Sequence, residues 1–165
     1  MKKRRTTALL VTVGGVVVVF GLGGCSGNDG TSRQDEVAMR GAAVMPFDLN
    51  KTHHAFEQNA TGGVETVRAL DPADSAQIGL IRSHLRSVAT KFASGDFSDP
   101  MAIHGDQMAG VGALSAGASR VKIEYAELHD GAKITYASDE PVLIGAIHDW
   151  FNAQVSDHGQ HAGSH

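Results

Sequence analysis

Nine histidines, His53, His54, His84, His104, His129, His148, His158, His161 and His165, all lie beyond residue 52 of a chain that has a single cysteine. Neutral imidazole is the commonest transition-metal ligand. A protein with no spare thiolate that binds soft or borderline metals must use imidazole, thioether and carboxylate. The tightest grouping is Met101-x2-His104-x3-Met108, which on a helix puts two thioethers and one imidazole on one side. Thioether sulfur favours Cu(I) and imidazole accepts either oxidation state, so the set suits copper capture or delivery. Met101 and Met108 suit better still a short amphipathic helix as gap-filling core residues, with His104 capping or bonding a loop.

His84 and His148 complete the candidate metal set. Each lies at the edge of an apolar stripe on a long helix, a position that also suits a hydrogen-bonded boundary residue. His158-x2-His161-x3-His165 is a weaker chelator for Cu(II), Ni(II) or Zn(II), because ordering a tail costs entropy that a preformed site avoids. Asp157 adds a carboxylate there. His53 and His54 are adjacent on a strand and point to opposite faces; His54 shares the face of Phe56 and reads as a core-edge residue. His129 borders a turn. Haem would use the same His and Met donors, but the chain has no Cys-x-x-Cys-His attachment run and only one Trp and two Tyr to line a porphyrin pocket.

No signature of catalysis accompanies these ligands. The chain lacks a Gly-x-Ser-x-Gly elbow, a His-Glu-x-x-His pair, a phosphate loop and a dinucleotide fingerprint. Asp96, Asp99 and Asp106 surround His104, and an Asp–His pair can do general-base work; Asp99 before Pro100 is explained as well by helix capping. The expectation is a binding protein rather than an enzyme.

The elements that must position these residues follow from periodicity. Val121, Ile123 and Tyr125 alternate with charged residues, and after Asp130-Gly131 the pattern resumes with Ile134 and Tyr136, which predicts a hairpin with a tight primed turn. Thr52 to Glu57 and Val64 to Leu70, joined through residues 59–63, predict a second hairpin. Each is followed by a helix. The first is expected from Asp71-Pro72, with Asp71 as cap and the stripe Ile78, Ile81, Leu85, Val88 and Phe92 ending at Gly95. The second is expected from Asp139-Glu140-Pro141, with the stripe Ile144, Ile147, Phe151 and Val155 to about Asp157. Ile78-Gly79-Leu80-Ile81 matches Ile144-Gly145-Ala146-Ile147, so the fold class expected is α+β. It is a duplicated strand-strand-helix unit whose four-stranded antiparallel sheet carries two helices on one face. The Gly-, Ala- and Ser-rich residues 94–119 form a helical insert between the halves, with one short helix from Asp99-Pro100 to about Ala116.

The N-terminal 24 residues have a different character. Lys2, Lys3, Arg4 and Arg5 precede an apolar run from Ala8 to Phe20, and Leu22-Gly23-Gly24-Cys25 resembles the bacterial lipobox. The run is short for a membrane span and is diluted by Gly14, Gly15 and Gly21. The resemblance implies cleavage before Cys25 and acylation of its sulfur, which would tether the remainder outside the cytoplasm to a membrane. Residues 1–24 are then the signal, 25–45 a flexible tether, 46–157 the domain and 158–165 a His-rich tail. Removing residues 1–24 takes four of the 14 basic residues and none of the 18 acidic ones, leaving a formal charge of −8. Nucleic acid is thereby disfavoured. Membrane contact is expected through the acylated Cys25, and another envelope protein is the alternative partner if the histidines are only boundary residues.

Asp71-Pro72-Ala73-Asp74, residues 95–100, Ile103-His104-Gly105 and His148-Asp149-Trp150-Phe151 resemble a family of small bacterial exported proteins. Some of its members carry the label aspartate carbamoyltransferase. The Ser-Thr-Arg-Thr phosphate-binding run of those enzymes is missing here, and the chain is too short for their two domains, so the resemblance implies export without supplying a reaction.

Overall fold

The computed structural model describes residues 29–159 and the short strand at 162–163; the signal, Cys25, His161 and His165 lie outside these residues. The fold is α+β, as the two hairpin-helix units require. Helix α1 (Asp29–Val44) leads into strands β1 (Thr52–Asn59) and β2 (Gly62–Ala69), followed by helices α2 (Ser75–Ala93), α3 (Ser98–His104) and α4 (Val111–Gly117). Strands β3 (Lys122–Leu128) and β4 (Gly131–Ala137), helix α5 (Pro141–His158) and the two-residue β5 (Ala162–Gly163) complete the order.

The sheet order is β3-β4-β2-β1-β5, antiparallel throughout except for the parallel β1–β5 pair. The two hairpins join through β2 and β4, with Glu65 opposite Ile134 and Val67 opposite Ala132. Alternation sends His54, Phe56, Glu65, Val67, Ile134 and Tyr136 to one face, and the helices cover it. Each long helix packs over the other unit's hairpin: α2 lies on β3 and β4, α5 on β1 and β2. Interlocking of this kind makes the two units share one core, and its centre is aromatic. Phe92 stacks on Phe97 at 4.2 Å, and Trp150 meets Phe92 and Tyr136 edge-on at 5.5 and 5.1 Å.

Several boundaries differ from the sequence reading, each for a physical reason. Asp71 closes a turn onto the Ala73 amide, and Asp74 caps α2 by accepting from the Gln77 amide at 3.1 Å, so the helix starts after the Asp-Pro pair. The residues between β3 and β4 are His129 and Asp130, and Gly131 is the first residue of β4, paired with Leu128. No residue there has positive φ, so the turn is not of the primed kind. Glycine is needed at 131 because a Cβ would come within 2.0 Å of the Val67 carbonyl oxygen. The insert is two helices, because Gly105 (φ 91°) and Gly110 (φ 78°) leave the helical region of the backbone. On α5 the buried face runs through Leu143, Ile147, Trp150, Gln154 and His158, rotated from the expected stripe, and Ile144 and Val155 are half-buried.

The segment expected to be a flexible tether is helical over Asp29–Val44 and packs on α3 and α5, with Val37 fully buried. Likewise His158 is not part of a solvated tail; it is the last residue of α5 and buried. Among the described residues, no helix is long and apolar enough to cross a membrane.

Candidate functional site

A cavity of about 50 Å³ lies between the sheet and the helices and is walled by four histidines, each from a different element. His54 comes from β1, His84 from α2, His104 from the C-terminal end of α3 and His158 from the end of α5. The His158 ring is the hub: it lies 5.7 Å from His54 in a parallel stack and 5.0 Å from His104 edge-on. Phe47, in the link after α1, sits between His54 and His84 at 5.8 and 5.6 Å. Val44 and Met45 close one side, Glu65 rises from the sheet, and Trp150 and Gln154 face it from α5.

His104 is held most firmly. Its Nδ1–H donates to Asp157 Oδ2 at 2.8 Å, and Arg33 of α1 donates to the same oxygen and to the His104 carbonyl, both at 2.7 Å. Burial works against the Asp157 charge, but the bonds from Arg33 and His104 outweigh it and bring its pKa below the usual carboxylate value. Burial likewise lowers the pKa of His104, against the bonds to Asp157 and Gln154, which favours the neutral ring. An ionised carboxylate can only accept, which fixes the proton on Nδ1 and leaves Nε2 with the lone pair. A carboxylate that orients a histidine in this way is the usual outer partner of a metal-bound imidazole. His84 is also shifted down by burial, with Asp99 opposing.

A second polar group lines the same cavity. Burial raises the Glu65 carboxyl to about 7, and the Tyr136 hydroxyl donates to it at 2.8 Å without offsetting that cost. The indole N–H of Trp150, 1 % exposed, has no hydrogen-bond partner among the described residues. Among those same residues, no three His, Asp or Glu side chains stand in metal-coordinating geometry. In particular, the parallel His54 and His158 rings do not converge on one point.

No family model, curated protein or solved structure matches this chain.

The structure redistributes the candidate set. His104 and His84 both reach the cavity. Met101 and Met108 are half-buried packing residues against the core, and the single helical face that would have joined them to His104 is broken at Gly105. His148 is committed elsewhere: its Nε2 donates to the Asn59 and Gly62 carbonyls at 3.0 and 2.9 Å, bracing the β1–β2 turn. His158, expected in a loose tail, joins the cluster, as does His54, expected at a core edge. His129 is exposed beside Asp130. Glu65 is absent from the sequence-based candidates although its place is legible, since it stands two residues from Val67 on a strand and so must share its buried face. Arg33 and Met45 give no local signal, because both act through the docking of α1.

Proposed function

We propose that this chain is a lipid-anchored, extracytoplasmic protein that captures one copper ion in the histidine-walled cavity. His104 and His158 are the first ligands, His54 joins by turning out of its stack, and the Met45 thioether stands by to favour Cu(I). The observation that carries this reading is the contact of three imidazoles inside one small cavity, with the Nδ1 of one of them fastened to an ionised carboxylate. The 5.0 Å between the crossed His104 and His158 rings matches the spacing of two imidazoles that share an ion at ordinary metal–nitrogen distances of about 2.0–2.1 Å. The space available, about 50 Å³, suits an ion with a water or two and is far too small for a porphyrin or a drug-sized ligand. Imidazole and thioether donors without thiolate favour copper over alkaline-earth ions.

Native mass spectrometry of the mature chain titrated with Cu(II), and with Cu(I) under reductant, tests the reading. One equivalent is expected, lost in His104→Ala and in His158→Ala, and kept in Met101→Leu, Met108→Leu and His148→Ala. Equal uptake by a variant lacking His54, His104 and His158 would remove the cavity from consideration. Anchoring is tested separately: Cys25→Ser should move the protein from the membrane to the soluble fraction, and the parent's mass should carry acyl chains.

A further inference from the structure

Helix α1 packs on α3 and α5 along one narrow face. Among its described side chains Val37 is the one fully buried apolar group, and Gly41 rests against Leu49 and Met45. Met39 is 72 % exposed, and Ala42 and Ala43 face solvent. The polar attachments sit near its start: Arg33 grips Asp157 and the His104 carbonyl, and Gln34 donates to the Ser156 carbonyl at 3.2 Å. At its other end Val44 and Met45 form part of the cavity wall, and Phe47 just beyond lies against His54 and His84. The helix therefore spans the cavity, and its latch is the same carboxylate that orients His104.

We propose that α1 is a cover over the histidine cavity, latched by Arg33, and that its docking and ion capture are coupled. This deepens the reading of the cavity as a metal site and rests on it for the identity of the ligand. Segments with few buried apolar contacts open locally at low cost, independently of global unfolding. Opening α1 withdraws Val44 and Met45 from the wall and Arg33 from Asp157, so the open state has both a wider entry path and a less firmly held His104. An ion that prefers the closed arrangement must in turn favour docking of α1, since coupling between two equilibria is reciprocal.

The mature chain carrying Met39→Gly and Ala42→Gly tests this without touching cavity or latch. Each glycine in a solvent-facing helix position shifts the balance toward opening about five-fold, and the pair about 25-fold. With Cu(II) bound, extraction by excess chelator should quicken by about that factor while the spectrum of the bound ion stays the same. In metal-free protein, carbethoxylation of His104 and His158 by diethyl pyrocarbonate, read by peptide mass, should quicken in parallel. Arg33→Ala should do the same to both rates. Copper should also slow hydrogen exchange across residues 33–45.

Parent-like extraction and modification rates in the double glycine variant overturn the cover. If copper fails to bind but histidine modification accelerates, the cover stands and the metal reading falls. If copper binds and neither rate moves, the metal reading stands and the cover falls. Met39→Gly alone is the milder variant should the pair unfold the domain, with about a five-fold effect expected.

Discussion

Replacing Glu65 by Gln should make the protein less sensitive to alkaline pH. In the folded chain burial lifts this carboxyl from 4.5 to about 7, so folding favours the protonated form. Between those two values the folded state holds a proton that the unfolded chain has released. Stability is therefore complete below about 4.5, declines as pH rises through the window, and is lowest above 7. Two and a half pKa units at 1.36 kcal/mol each give about 3 kcal/mol at pH 8. Glutamine has nearly the same shape, keeps an oxygen to accept from the Tyr136 hydroxyl, and does not titrate. Parent and variant should match at about pH 4, whereas at pH 8 the variant should be the more stable by about 3 kcal/mol, or about 10 °C in Tm for a domain of this size. Urea unfolding at both pH values measures it. Burial lowers the pKa of His84 and His104, which gives both proteins a fall in stability on acidification, but that contribution cancels in the difference. A difference that does not change with pH, or a variant less stable at pH 8, would refute the reasoning that the carboxyl is held neutral by its surroundings.

Asp157→Asn weakens the bonds to Arg33 and His104 and should cost about 1–3 kcal/mol in urea unfolding, with copper affinity down about 10–100-fold by competition titration. Trp150 is the chain's one tryptophan and walls the cavity, so Cu(II) at the histidine cluster should quench nearly all intrinsic emission at one equivalent; an unquenched spectrum with copper bound would place the ion elsewhere. Gly110→Ala puts a Cβ 2.0 Å from the Ala146 carbonyl oxygen at a residue with φ of 78°, and thermal melts should register about 2–3 kcal/mol of destabilisation.

The fold is more legible than the site because its signals are local. Ile78, Ile81, Leu85, Val88 and Phe92 recur at helical spacing and are all buried on α2. Period-two alternation likewise places both hairpins. Where sequence and structure part, an interaction distant in sequence decides the matter. Asp130-Gly131 reads locally as a turn pair, although the role of Gly131 is set by Val67 on a neighbouring strand. The Met101–His104–Met108 face requires an unbroken helix, and Gly105 stops it. His104 and His84 stand out by residue type and do reach one cavity, but their companions His54 and His158 read locally as a core edge and a tail. Nothing local brings residues 54, 104 and 158 together. Only the crossing of α5 over β1 and the docking of α3 at the end of α5 do so.

The composition of the cavity also bears on why it exists. A partly open pocket of about 50 Å³ leaves its apolar lining short of contacts, and an unpartnered indole N–H such as that of Trp150 costs about 1–3 kcal/mol more. A lone cysteine allows no intrachain disulfide to offset this, and a leucine or phenylalanine at position 54 or 158 would fill the space with apolar contacts. A ligand at 100 times its Kd returns about 2.7 kcal/mol to the folded state, comparable with the cost of the unpartnered indole. On the proposed reading, an occupied cavity would offset these penalties. The latch fits the same proposal: Arg33 reaches from a helix with one fully buried apolar side chain to the carboxylate that orients His104, an arrangement that would let the cavity both admit an ion and hold it.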